Sequence, residues 1–348
     1  MHFMNKYTVS AIAAVSVAVA LMMSACHELP DYDNSAEGNF DALWTLVDEH
    51  YCFFADKDID WMETAAIYRS QIRPGMSSKS LFAVMSAMLD ELRDGHVNLS
   101  APFATSYYRK WWSDYPHNYD ERIIQQNYFD FGYTSLGMSD YGVLLANVGY
   151  LRWPTFDSSL GPGNIDHILA SFSMTCGLII DIRDNGGGQV SNANDLVAHF
   201  ITETITGGYI YHKSGPGHDD FSEPYPVRIE PIGNGHVVWT KPVVVLTNRG
   251  TFSAANYFTA VMKQLPNVTV VGSVTGGGCG MPVSYELPNG WGIRMSSSPL
   301  IDSQGNLTEN GVAPTEGCDV DMDPLAAFNG RDTMLDFAID YIVALASR

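Results

Sequence analysis

The sequence predicts an α/β protein with a mostly parallel sheet, preceded by a small N-terminal helical bundle. Three observations carry this. Apolar residues recur at helical spacing between residues 39 and 93. From Tyr141 onward, short apolar runs alternate with helical stretches, the pattern of strands joined by crossover helices. The runs Gly177–Arg183 (GLIIDIR) and Pro242–Thr247 (PVVVLT) are continuously apolar at their centres, as in a sheet covered on both faces.

In chain order, Phe40, Leu43, Trp44, Leu46 and Val47 mark a first helix and Trp61 to Ile72 a second. Ser77 or Ser78 caps a third from Ser80 to Leu92, with Leu81, Met85, Met88, Leu89 and Leu92 apolar. Residues 101–140 form an aromatic connector holding Tyr107, Tyr108, Trp111 and Trp112. Such a cluster is either a substrate platform or, the reading favoured here, packing between two folded parts. Val143–Val148 and Gly149–Trp153 read as paired strands, Asn164–Phe172 as a helix, and Gly177–Arg183 as a buried strand. Ser191–Phe200, Pro242–Thr247, Ser253–Gln264 and Val268–Gly272 continue as helix, strand, helix and strand, and Asp332–Leu345 closes the chain as a helix. At 348 residues the chain exceeds what one core usually holds. Two folded parts are expected, at 39–100 and 141–348.

Hydrophobic residues make up 46% and charged residues 17%, a globular balance that excludes a disordered chain. The formal net charge of -20 repels phosphate backbones and argues against nucleic acid as a partner. Lys6 followed by the apolar run Val9–Met23 reads as a secretory signal over residues 1–25, too short for a spanning helix. It ends in Ser24-Ala25-Cys26, which resembles a lipobox. Cys26 would then be the lipidated first residue of the mature chain, holding it to a membrane, with residues 26–38 as a tether. The acidic residues Glu28, Asp31 and Asp33 point to export to the outer surface. Cys52, Cys176, Cys279 and Cys318 form no CxxC pair, which argues against structural zinc. Cys176 reads as a buried free thiol, and a bridge between Cys279 and Cys318 is left open.

Three loops follow buried strands, where open α/β sheets gather ligands. In Asp181–Gly188 (DIRDNGGG), three glycines let backbone N–H groups approach a bound group. This suits a phosphate cradle, an oxyanion hole or simply a tight turn, and no Lys follows as a phosphate loop would need. In Thr247–Asn256 (TNRGTFSAAN), Ser253 lies where a loop enters a helix. It is either a capping residue or a hydroxyl presented at the strand ends. The third loop is Thr275–Gly280 (TGGGCG), followed later by Leu307–Pro314 (LTENGVAP). Asp94 reads as a cap of its own loop, and Asp181 with Arg183 as a structural pair. His117, His167, His199, His212 and His218 read as surface or packing residues.

The ordered set DGHVNL, GLIIDIRDNGGG, VVVLTNRGTFSAAN, VVGSVTGGG and ENGVAPT resembles the C-terminal-processing and tricorn-type serine peptidases, from about Asn39 to the end. The resemblance implies a ClpP/crotonase-like αββ core and no cofactor. It maps the nucleophile onto Ser253. Processing members use a Ser–Lys dyad with Lys in a GxxTxGK loop. The corresponding stretch here is Gly272–Gly278, and Gly278 stands where the Lys would be. The tricorn-like branch uses a His and a Glu instead, matching His96 and Glu309, while its second Ser corresponds to Gly95 here. A Ser hydroxyl needs an adjacent base, and with Lys missing a neutral imidazole must take the proton. Glu309 would orient the cluster and stabilise imidazolium, directly or through an intermediary group. Ala254 and Gly187, with Gly186 as fallback, would supply oxyanion N–H groups. Residues 101–140 are too few for the PDZ module of some members. The resemblance thus implies a peptidase acting on peptides or proteins outside the cytoplasm. Two other readings stand beside it: a silent relative binding an apolar ligand or a peptide, motivated by the aromatic segment 107–112, and a surface scaffold for uptake.

Overall fold

The computed structural model describes residues 32–347. The expected signal segment and Cys26 lie outside them. Helices α1 (Ala36–His50), α2 (Trp61–Arg69) and α3 (Ser78–Asp90) follow the expected periodicity. Each starts at a side chain that accepts a hydrogen bond from an otherwise orphaned N–H: Ser35 from Gly38, Asp60 from Glu63 and Ser77 from Ser80.

Strands β1 (Asn98–Ala101) and β2 (Ala104–Thr105) come next, then the short helices α4 (Lys110–Ser113) and α5 (Glu121–Asn127). The antiparallel strands β3 (Thr134–Leu136), β4 (Ser139–Leu144) and β5 (Val148–Arg152) lead into helix α6 (Pro162–Ser171). The expected strand at 143–148 is interrupted: Ala146 and Asn147 adopt φ of 69° and 58° and make the turn between β4 and β5. Strand β6 (Leu178–Asp181), helix α7 (Val190–Val197), strands β7 (Ile205–Ile210), β8 (Tyr225–Ile229) and β9 (Val243–Thr247), helix α8 (Ala254–Lys263) and strand β10 (Val268–Gly272) follow. The chain then runs through β11 (Gly280–Glu286), β12 (Gly292–Asp302), α9 (Pro324–Phe328) and α10 (Thr333–Ala346).

The described residues form two six-stranded sheets. The first has the order β10-β9-β6-β5-β4-β3, parallel from β10 to β5 and antiparallel beyond. Its central strands are buried on both faces. Leu178, Ile180, Val243 and Val245 join the core under α6, α7 and α8, whereas Ile179, Val244 and Leu246 join the core under α10. The second sheet, β2-β1-β12-β7-β8 with β11 on β12, is wholly antiparallel. The N-terminal helices pack on this sheet. Their core residues Phe40, Leu43, Tyr51, Met85 and Leu92 share one cluster with Leu99, Leu287, Trp291, Ile293 and Met295. The helical segment therefore closes its core on strands formed about two hundred residues later in the chain.

Candidate active site

The carboxyl ends of β6 and β9 lie side by side, and the loops that leave them build the site. The Thr251 hydroxyl donates to Ile182 O at 2.9 Å, and Phe252 N donates to Asn185 O at 2.9 Å, tying the two loops together. Ser253 N donates to Gly277 O at 2.8 Å. The result is a sharp entry into α8, with Ser253 at φ 56° and ψ −122°. This conformation is uncommon for a residue with a side chain and costs on the order of 1–3 kcal/mol, held by the surrounding bonds. Ser253 occupies the cap position of α8, yet its hydroxyl caps nothing. Instead Ser253 Oγ lies 3.0 Å from His96 Nε2. The capping alternative is thereby removed.

His96 reaches this point because the Asp94–Val97 turn leads directly into β1, which pairs with β12 through Asn98 and Arg294. Asp94 Oδ1 accepts from His96 N at 2.8 Å. The ring is buried and tilts against Phe252. Burial lowers its pKa to about 4, with the Asp94 carboxylate opposing and Arg294 and Lys57 reinforcing the drop. The imidazole is therefore neutral near pH 7, with one of its two ring nitrogens unprotonated. Its Nδ1 is buried and has no hydrogen-bond partner among the described residues.

Glu309 is close to the site but does not touch His96. Glu309 Oε1 accepts from Lys57 Nζ at 2.9 Å and Glu309 Oε2 from Cys279 N at 2.9 Å. Lys57 also lies 3.5 Å from Asp94 Oδ2, which accepts from the Tyr51 hydroxyl at 3.1 Å. Glu309 is thus linked to the imidazole through Lys57 and Asp94. Burial works against charge on Lys57, but Asp94 and Glu309 hold its pKa above the usual lysine value. One cation between two buried carboxylates leaves a negative charge in excess. Burial, with Asp94 beside it, pushes Glu309 up to about 7. Burial also opposes charge on Asp94, yet Lys57 and His96 keep its carboxyl below the usual range.

Lys57 belongs to no sequence motif, lying 252 residues from Glu309, and the sequence offered no signal for it. Asp94 does cap its own loop, as expected, and in addition anchors Lys57. Asp181 and Arg183 pair at 2.6 Å, extended by Asp332 at 2.8 Å from Arg183.

The candidate oxyanion donors differ. Ala254 N donates to no acceptor among the described residues and stands at the first turn of α8. Gly187 is packed against it: a Cβ there would lie 2.7 Å from Ser253 Cβ and 2.9 Å from Ala254 N. Gly187 N, however, already donates to Asn185 Oδ1 at 2.9 Å. Gly186 is exposed and its N–H has no acceptor among the described residues.

The two departures from the resembled pattern have steric counterparts. Gly278, at φ 77°, faces Phe252, whose ring would lie 2.4 Å from a Cβ. At Gly95, Trp111 Nε1 would lie 2.6 Å and Phe252 Cζ 2.9 Å from a Cβ. Trp111 stacks on Phe252 with ring centroids 4.1 Å apart. Within the aromatic connector, Trp111 therefore packs as expected, whereas Tyr107 and Trp112 are exposed. The loops 275–280 and 307–314 are joined by buried bonds from Thr275 to Asn256 and from Asn256 to Thr308. Cys52, Cys176, Cys279 and Cys318 are all free thiols, so Cys279 and Cys318 form no bridge. Cys176 is half-buried, at the turn before β6 rather than inside the strand.

The sequence profile of peptidase family S41 matches residues 147–317, and that of the tricorn protease C1 domain matches residues 32–90. The crystal structure of a candidate peptidase from Parabacteroides merdae is 41% identical, with a TM-score of 0.83, over 89% of this chain and 97% of that one. The structure of mature CPAF complexed with lactacystin shares the fold, at 14% identity and a TM-score of 0.68 over 90% of this chain and 98% of that one. A carboxyl-terminal-processing protease of Synechocystis is 26% identical over 212 residues, 58% of this chain and 46% of its own length. The chain spans less than half the length of the curated relatives it matches. With the expected αββ core present and the N-terminal and C-terminal matches in the expected order, the chain belongs to peptidase family S41.

Proposed function

We propose that this protein is a serine peptidase acting on peptides or proteins, with Ser253 as nucleophile and His96 as general base. The observation that carries the reading is the 3.0 Å contact between His96 Nε2 and a Ser253 hydroxyl that caps no helix. His96 Nε2 takes the hydroxyl proton as Ser253 Oγ attacks the scissile carbonyl. The oxyanion develops beside Ala254 N, with the Gly186–Gly187 peptide region on the other side. His96 then returns the proton to the leaving amine, and the acyl-Ser253 ester is hydrolysed by a water that His96 deprotonates. Imidazolium is stabilised by the carboxylate of Asp94, held in place by Lys57 and, behind it, Glu309. Glu309 thus acts at one remove.

The test is covalent labelling by a fluorophosphonate probe. Wild type is labelled, Ser253→Ala is not, and His96→Ala is labelled roughly 10²–10⁴-fold more slowly. Equal labelling of wild type and Ser253→Ala removes Ser253 as nucleophile. The reading also places the protein outside the cytoplasm, anchored through lipid on Cys26, supported by the Ser24-Ala25-Cys26 sequence after an apolar run. Metabolic labelling with a palmitate analogue that persists in Cys26→Ala counts against the anchor.

A further inference from the structure

A cavity of about 300 Å³ opens beside Ser253, walled by Val190, Tyr257, Met281, Pro282 and Leu300. One lining side chain is charged: Arg294, on β12. It is half-buried, and its side chain makes two long hydrogen bonds among the described residues, from Nη1 to His96 O at 3.4 Å and to Asn98 Oδ1 at 3.5 Å. No carboxylate of the described residues lies within 4.0 Å of it, whereas the buried Arg183 has two. A guanidinium offers five N–H donors, and a partly desolvated one without an anion is costly. Arg294 also lines a second cavity of about 310 Å³, with the polar residues Asn98, Ser100, Thr105 and Ser284. The donors of Arg294 thus stand at the junction of two open spaces. They are the exception in a chain of net charge -20, whose general field repels anions.

We propose that Arg294 binds a carboxylate of the peptide presented to Ser253, either the chain's C-terminal carboxylate or an Asp or Glu side chain beside the scissile bond. The planar fork of a guanidinium matches a carboxylate in two parallel hydrogen bonds. The inference takes the peptide from the peptidase reading above and the anion from Arg294.

The test uses the full chain carrying Ser253→Ala, so that bound peptide is not cut. Fluorescence anisotropy measures the affinity of fluorescein-labelled peptides in two matched pairs, one ending in a free acid or an amide, the other carrying an internal Glu or Gln. The carboxylate member of one pair is expected to bind at least about 10-fold more tightly, equivalent to about 1.4 kcal/mol. The free-acid pair responding identifies a chain terminus, and the Glu pair responding identifies a side chain. Arg294→Gln, with a native far-UV circular dichroism spectrum, reduces the ratio to near one. Arg294→Lys keeps the charge but not the fork and gives an intermediate ratio, which carries the test should Arg294→Gln fail to fold. Equal binding within both pairs overturns the proposal, as does a ratio unchanged in the Arg294 variants. Fluorophosphonate labelling of protein with Ser253 intact reads the peptidase assignment separately. Labelling without carboxylate preference sinks Arg294 alone, and preference without labelling sinks the nucleophile alone.

Discussion

Two groups near the site titrate in opposite senses, and their effects on stability can be separated. His96 has an ordinary pKa of 6.5 and about 4 in the folded protein. Between those values the unfolded chain binds the proton and the folded one does not. Its contribution to stability is complete above 6.5 and is lost as pH falls towards 4. Glu309 runs the other way, from an ordinary 4.5 up to about 7. Its contribution is complete below 4.5 and is lost as pH rises through 7. In the shared window from pH 4.5 to 6.5 each group contributes a slope of about 1.4 kcal/mol per pH unit, opposite in sign, so the two cancel in the wild type. Glu309→Gln exposes the His96 slope, and stability falls by about 3 kcal/mol on acidification across the window. His96→Gln exposes the Glu309 slope, and stability falls by a similar amount on alkalinisation. Urea denaturation followed by circular dichroism at pH 4.5, 5.5 and 6.5 measures this. The carboxylates outside the Asp94–Lys57–Glu309 cluster contribute alike to all three proteins and drop out of the differences. Parallel pH dependence in wild type and both variants would refute the electrostatic account of the site.

Restoring the second serine by Gly95→Ser drives a Cβ into Trp111 and Phe252, so a stability loss of about 1–3 kcal/mol and slower fluorophosphonate labelling are expected, read by urea midpoint and labelling rate. Restoring the lysine by Gly278→Lys puts a side chain at φ 77° against the Phe252 ring, and labelling should fall rather than rise; a gain would show that the loop can repack. Arg183→Met strands the fully buried Asp181 and Asp332, and should cost about 3–5 kcal/mol in urea unfolding.

Much of the sheet that carries Ser253 was legible because its strands are buried on both faces. GLIID and VVVLT have no alternative as exposed segments, and the glycine loops follow directly from their ends. The helices α1, α2 and α3 were legible from periodicity and from caps such as Ser77. The second sheet was not. Strand β12 contains Ser296, Ser297, Ser298 and Pro299, which read locally as a loop. Its apolar residues Ile293 and Met295 gain their meaning from helices two hundred residues earlier. Strand β7 contains Gly207 and Gly208 and hid for the same reason. At the candidate site, Ser253, His96 and Glu309 were singled out through motif order. That Glu309 faces Lys57 rather than the imidazole was not legible, because a pairing across 252 residues leaves no periodic trace.

The closing of the N-terminal helices on β11 and β12 has a consequence for when the proposed site comes into being. The imidazole is mounted on the first-made part of the chain and the hydroxyl lies 157 residues later. The apolar seat that aligns the first part, Leu287 to Met295, is later still. A chain emerging from its amino end therefore carries the His96 imidazole first and the Ser253 hydroxyl later, and the two meet only when nearly all of the molecule exists. For the proposed peptidase, assembly itself is the safety catch, and fragments that end before β12 are expected to lack its activity.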